Sequence, residues 1–344
     1  MNKTYFYVTK YYYLNKLHKE DKSMDINIGN TPLIKIKYKY NNKEDYIYAK
    51  LEFYNLTGSI KDRVAYYIIK RAIAEGKLKK GMTIVEATSG NTGISLAAMG
   101  AYFGNPVHIF MPNWVSKERI SLMQMYNATV TLISKEQGGF KRAISEAEKY
   151  AKKNNAFLSN QFENENNILA HYETTSREII EDLDGNISGF VSGIGTGGTL
   201  MGVAKRLKQI NNNIKIYALE PDKMPLISQN KIISNHKIEG IGDDFIPKLL
   251  NKKMIDKIII VNDEDSINMA RKIALNLGLG VGISSGANMI ASILAKEENE
   301  GNIVTVFPDD NKKYISTDLS KPIDNNKDFI SNKVQILDYK FIKK

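Results

Sequence analysis

Three short segments combine residue types whose chemistry and spacing suit ligand binding. Residues 192–202, SGIGTGGTLMG, form a glycine-rich turn between an apolar run and a helical pattern. Such a turn aims backbone N–H groups from a helix N-terminus, where the helix dipole favours a phosphate. It has no Gly-Lys-Ser/Thr of a Walker A loop, and its glycine spacing and downstream acid do not fit a dinucleotide fingerprint, so a phosphate monoester suits it better than a nucleotide. A tight strand-to-helix turn that binds nothing has the same pattern. Residues 87–93, ATSGNTG, gather Thr88, Ser89, Asn91 and Thr92 around Gly90, a density of hydroxyl and backbone donors suited to a carboxylate and excessive for helix capping alone. In residues 51–63, LEFYNLTGSIKDR, Lys61 opens a helix with Asp62 and Arg63 behind it. Desolvation beside a cation favours a neutral amine, the form that makes a Schiff base. A single lysine is ordinarily a solvated surface residue; its company with the two turns gives it weight.

Other chemistries are excluded by composition. The 344 residues contain no cysteine, so there is no disulfide, thiolate nucleophile, Fe–S cluster or Cys-ligated zinc. Four scattered histidines, His18, His108, His171 and His236, argue against a metal site. The net charge of +10 is concentrated at the ends, +3 in residues 1–23 and +3 in residues 321–344. Lysine outnumbers arginine and no face interleaves Arg with aromatics, so no nucleic-acid partner is expected. No run approaches the roughly 18 apolar residues of a membrane span, and the N-terminal 23 residues lack a signal-peptide core, so the expected protein is soluble and cytoplasmic. Residues 1–23 read as a tail, or as the product of a start upstream of Met24; an anchor for a membrane or partner is the sharper alternative.

The elements that must position these residues alternate between strand and helix. Strand patterns at 46–52, 82–88 and 106–112 are followed by helical patterns at 61–78, 89–104 and 117–128, and the rhythm resumes beyond residue 189. With 42% hydrophobic and 25% charged residues, the chain has material for two cores. The pattern predicts an α/β protein of two domains with mainly parallel, helix-covered sheets and the site in the cleft between them.

The motifs IGNTPL (28–33), KLEFYNLTGSIKDR (50–63), TSGNTGISLA (88–97), NQFENENN…H…TT…EI (160–179), GIGTGGTL (193–200), EGIGDDFIP (239–247) and GISSGA (282–287) together resemble the cysteine synthase and cystathionine beta-synthase family. The resemblance spans residues 26 to 318 in order. It implies a fold type II pyridoxal 5'-phosphate enzyme, tryptophan synthase beta-like. The larger cofactor domain would comprise 24–52 and 161–318, the smaller mobile substrate domain 53–160, and residues 319–344 a C-terminal tail. Lys61 looks like the lysine that carries the cofactor and moves the substrate Cα proton. Asn91 looks like the partner of the cofactor's phenolic oxygen, Gly195, Thr196, Gly197, Gly198 and Thr199 like its phosphate cup, and Thr88, Ser89, Gly90, Thr92 and Gln161 like the carboxylate clamp. The implied chemistry is β-elimination to an aminoacrylate followed by addition of a nucleophile. A homodimer is implied as well, whereas heme and a regulatory module are not expected.

Two departures from the family pattern refine this. At Asp243-Asp244, cysteine synthases usually carry Ala-Gly and cystathionine beta-synthases Tyr-Asp. A carboxylate there would repel incoming hydrosulfide by roughly 1 kcal/mol or more at about 4 Å, and would orient and deprotonate water. The expected activity is therefore cleavage of L-cysteine to hydrogen sulfide and L-serine. The alternatives are an O-acetylserine sulfhydrylase, or a silent homologue used as a sensor or binding module; a solvated loop is the plain reading of the two aspartates. At FPDDNKKY (307–314), the resemblance puts Asp310 against the pyridine nitrogen, with Asp309 as the alternative.

Overall fold

In a computed structural model, residues 26–322 and 324–342 are described; residues 1–23, expected as a tail, lie outside them. Strands β1 (Leu33–Tyr40) and β2 (Lys43–Leu51) pair through the turn Asn41-Asn42, whose φ values of 50° and 62° match the right-handed twist of a hairpin. The chain then builds β3 (Ile84–Ala87), β4 (Val107–Pro112), β5 (Thr129–Ile133) and β6 (Phe157–Leu158), a parallel sheet in the order β5-β4-β3-β6. It returns to add β7 (Gly189–Gly193), β8 (Lys215–Pro221), β9 (Lys257–Val261), β10 (Ile303–Phe307) and β11 (Gln335–Phe341) to the first hairpin. The resulting sheet has seven strands in the order β11-β1-β2-β10-β7-β8-β9.

The expected α/β class is observed. The central strand β10, Ile-Val-Thr-Val-Phe, is buried at every position because helices cover both faces. On one face Ile34, Ile36 and Ile47 pack with Met289 and Ile293; on the other Tyr48, Phe190 and Val304 pack with Leu200 and Leu207. The smaller sheet is likewise covered on both faces. The 319–344 segment is not a tail as expected. Its strand β11 pairs antiparallel with β1, from Ile34 opposite Phe341 to Lys39 opposite Gln335, and closes the sheet edge. The alternation that places Ile336 inside was obscured by the surrounding lysines and aspartates.

The helices that matter for the site are α1 (Lys61–Ala74), α2 (Asn91–Phe103), α3 (Lys117–Met125), α4 (Gly139–Lys153), α5 (Glu165–Ala170), α6 (Ser176–Asp182), α7 (Gly198–Ile210), α8 (Asp263–Leu277) and α9 (Ile283–Glu298). The start of α1 is held by a buried ionic network. The Arg63 guanidinium donates to Glu52 at 2.7 Å and to Glu178 at 2.6 Å, and Lys50 pairs with Glu178 at 3.0 Å. Buried charges are tolerated only when paired this fully; here they pin α1 to β2 and α6. Among the described residues no helix is long and apolar enough to cross a membrane.

Candidate active site

A cavity opens where β3, β7 and β10 end, lined from one side by residues 88–92 and from the other by Gly193, Asp243 and Ser284. Carboxyl ends of parallel strands are where α/β folds place ligands, because glycine-rich turns there open helix N-termini toward the gap. Of the residues singled out in the sequence, Lys61, Thr88, Ser89, Gly90, Asn91, Thr92, Gln161, Gly195, Thr196, Gly197, Thr199 and Asp243 all line it. Gly198, Asp244 and Asp310 do not.

Lys61 is the first residue of α1. Burial lowers its pKa, opposed by the nearby carboxylates of Asp309 and Asp243. Of the two expected causes only desolvation acts: Arg63, the neighbouring cation, turns away into Glu52 and Glu178.

The turn 195–199 forms a cradle at the start of α7. Gly197 has φ +83° and is the N-cap residue, so glycine is required there. A Cβ at Gly195 would collide with the Gly240 carbonyl oxygen, and one at Gly198 with the Asn167 carboxamide. Asn167 Nδ2 donates to Thr196 Oγ1 at 2.9 Å and to the Gln161 carbonyl at 2.8 Å, joining cradle and clamp. His171, in a π-helical turn over His171–Thr175, contacts Thr199 Oγ1 at 3.2 Å through Nε2. Burial, reinforced by the charges of Lys61 and Arg63, holds its pKa well below the usual value, so it is neutral.

Opposite the cradle, Gly90 N–H donates to Thr88 Oγ1 at 3.1 Å, and Thr92 Oγ1 donates to Gln161 Oε1 at 2.6 Å. The Gln161 side chain donates in turn to the Ala87 carbonyl at 2.9 Å. Behind it, buried Glu86 accepts from Gln161 N–H at 2.9 Å and Ser159 Oγ at 2.7 Å, and burial pushes its carboxyl up to about 7.

The two aspartate pairs separate cleanly. Asp243 faces the cavity; burial, then the charge of Asp244, push its carboxyl up to about 6 against the pull of Lys61. Asp244, expected beside it as a catalytic group, instead lies outside the cavity, 41% exposed and paired with Lys141 on α4 at 3.3 Å. The bend at Asp244 sends the two side chains in different directions. Asp310 is likewise misplaced by the sequence reading: it pairs with Lys313 at 3.5 Å and caps the turn at Lys312. Asp309 is the buried member, accepting from Asn91 Nδ2 at 2.7 Å and Tyr314 Oη at 2.8 Å.

Several lining residues were missed, among them Ser284, Arg119 and Glu239. Ser284 stands at the start of α9 inside the quoted GISSGA motif, whose small-residue helix start was the available signal. Buried Arg119 pairs with half-buried Glu239, with the guanidinium 4.6 Å from the Tyr314 ring centre and its stem under Gly90. In the sequence they are unremarkable charges 120 residues apart.

Comparison with known proteins agrees with this geometry. The family model described as pyridoxal-phosphate dependent enzyme matches residues 24–309. The chain is 44% identical over 294 residues to cysteine synthase B of Campylobacter jejuni, covering 85% of this chain and 96% of the relative. A hydrogen sulfide-producing enzyme from Fusobacterium nucleatum superposes with a TM-score of 0.87 at 46% identity, covering 92% of this chain and 96% of that one. Cysteine synthase from Entamoeba histolytica superposes at 0.81 and 38% identity, covering 91% and 96%. The cavity suits pyridoxal phosphate: the cradle glycines pack too closely on Gly240 and Asn167 to admit side chains, leaving backbone N–H groups to face the cavity at a helix N-terminus, and a desolvated lysine amine shares the cavity. The carboxamide oxygens of Asn91 and Asn167 are buried at its edge with no partner among the described residues. The chain belongs to the cysteine synthase family of pyridoxal-phosphate dependent enzymes.

Proposed function

We propose that this enzyme cleaves L-cysteine with water to L-serine and hydrogen sulfide. The observation that carries the reading is the Asp243 carboxylate inside the cavity, sharing it with Lys61 and having no counterpart in the Ala-Gly usual at this place.

In this reading, Gly195 to Thr199 hold the cofactor phosphate, Asn91 meets its ring, and Lys61 carries it. When bound, pyridoxal phosphate supplies an electron sink for the charge left at the substrate Cα. Thr88, Ser89, Gly90, Thr92 and Gln161 hold the substrate carboxylate, and the Thr92–Gln161 bond orients the amide. The Lys61 amine, whose proton affinity burial lowers, takes the Cα proton; the Cβ–S bond breaks and sulfur leaves as hydrosulfide. Asp243 orients a water and accepts its proton as the water oxygen bonds to Cβ, Lys61 returns its proton to Cα, and the proton held by Asp243 passes to the released hydrosulfide, giving hydrogen sulfide and restoring the carboxylate. The same reading expects a cytoplasmic homodimer.

A second reading is the synthase direction, L-cysteine from O-acetylserine and sulfide, favoured by the names of the Campylobacter and Entamoeba relatives and by a clamp equally suited to either amino acid. A mass-resolved product assay separates the two. Serine and hydrogen sulfide from L-cysteine alone support the lyase; cysteine formed only from O-acetylserine plus sulfide would replace it with the synthase.

A further inference from the structure

The loop that carries Asp243 is pinned through its backbone only up to Gly242. Gly242 N–H donates to the Ile194 carbonyl at 2.9 Å, and its own carbonyl lies 2.7 Å from His236 Nε2. From Asp243 to Ile246 no backbone hydrogen bond holds the chain among the described residues. Side chains hold it instead. The Phe245 ring meets Phe162 edge-on at 5.0 Å and stacks toward Phe140 at 6.3 Å, and Phe140 meets Phe162 at 5.7 Å. Outside this trio, Asp244 pairs with Lys141, the residue after Phe140 on α4.

Each ring belongs to a segment with a different duty. Phe162 follows Gln161 of the clamp, Phe140 lies in the first turn of α4 against the four-stranded sheet, and Phe245 stands two residues beyond Asp243. Asp243 and Phe245 face the same recess beside Gly195 and Pro247. Edge-on and offset aromatic contacts are directional, so the trio fixes the loop's position as well as its proximity. The exposed Asp244–Lys141 pair adds little by comparison.

We propose that Phe245 is a positioning residue for Asp243: its ring, seated between Phe140 and Phe162, clamps the loop so that the carboxylate delivers water to the substrate Cβ. This rests on the lyase reading above. Without the clamp, the same cleavage of cysteine with one water ends in pyruvate, ammonia and hydrogen sulfide in place of serine and hydrogen sulfide. The clamp therefore sets which product forms.

The test compares the holoenzyme with Phe245→Ala, Phe245→Leu, Lys141→Ala and Asp243→Asn, measuring serine, pyruvate and hydrogen sulfide from L-cysteine, with hydrogen exchange of the Gly242 amide, which is bonded to the Ile194 carbonyl immediately before Asp243. Phe245→Ala is expected to lower the serine-to-pyruvate ratio roughly tenfold, more than it lowers total sulfide, since a misplaced catalytic group costs that much or more. Phe245→Leu should fall between it and wild type, and Lys141→Ala should change the ratio by less than about threefold. Exchange of the Gly242 amide should quicken in Phe245→Ala and not in Asp243→Asn. A Phe245→Ala protein whose products fall in parallel at a constant ratio, or whose exchange is unaltered, would reduce Phe245 to packing. If Asp243→Asn leaves the ratio untouched, or wild type releases no sulfide from cysteine, the lyase reading fails, and the exchange result still decides whether the clamp exists.

Discussion

Asp243→Asn should stabilise the protein at neutral pH while suppressing serine formation. The Asp243 carboxyl ordinarily titrates near 3.8 and is pushed up to about 6, mainly by burial. Between those values the unfolded chain is ionised while the folded chain retains the proton, so the folded state binds more protons and stability falls as pH rises. The penalty is absent below pH 3.8, complete above about 6, and has a ceiling of roughly 3 kcal/mol at 1.36 kcal/mol per tenfold change in proton affinity. Asparagine keeps the shape and removes the charge. Denaturant titrations of both proteins at pH 4 and pH 8 should therefore give similar midpoints at pH 4 and a variant more stable at pH 8 by about 1–3 kcal/mol. Serine formation by wild type should rise through pH 6, as the base ionises, and that rise should be missing in the variant. A variant less stable at both pH values, or one making serine at the wild-type rate, would refute the argument, because a charge held at energetic cost for catalysis must give both signatures.

Three other substitutions test the cofactor side. Gly195→Ala places a methyl group against the Gly240 carbonyl oxygen, a backbone atom that cannot swing aside. Overpacking of this kind costs roughly 1–3 kcal/mol, so pyridoxal phosphate affinity, followed by absorbance titration, should drop about five- to hundredfold; unchanged affinity would remove the cradle from the phosphate site. Asp309→Ala leaves Asn91 Nδ2 and Tyr314 Oη without their acceptor and should shift the bound cofactor's absorption and cost about 1–3 kcal/mol of stability. Asp310→Ser should leave the spectrum as it is, and a shift there would return Asp310 to the cofactor.

Much of the fold was legible because parallel α/β structure writes itself locally. Buried strands such as Ile303–Phe307 are apolar runs, and helix starts such as Gly198 follow glycine turns that nothing else explains. The edge was not legible in the same way. Strand β11 earns its place by pairing with β1 some 300 residues away, and its half-exposed face carries lysine and aspartate like any solvated segment.

The site divides along the same line. Lys61, the 88–92 loop and the 195–199 cradle were visible because each is a local device: backbone donors, a helix N-terminus and small residues contiguous in sequence. Where a choice lay between neighbours, sequence alone was insufficient. Asp243 and Asp244 are chemically identical, as are Asp309 and Asp310, and only the direction of each side chain sends one inward and the other to a lysine. The Arg119–Glu239 pair and the Phe140–Phe162–Phe245 trio have no local signature at all. Residue type and spacing determined what chemistry this chain can perform; long-range packing decided which carboxylate performs it, because burial and side-chain direction are properties of the assembled sheets and not of any short stretch of sequence.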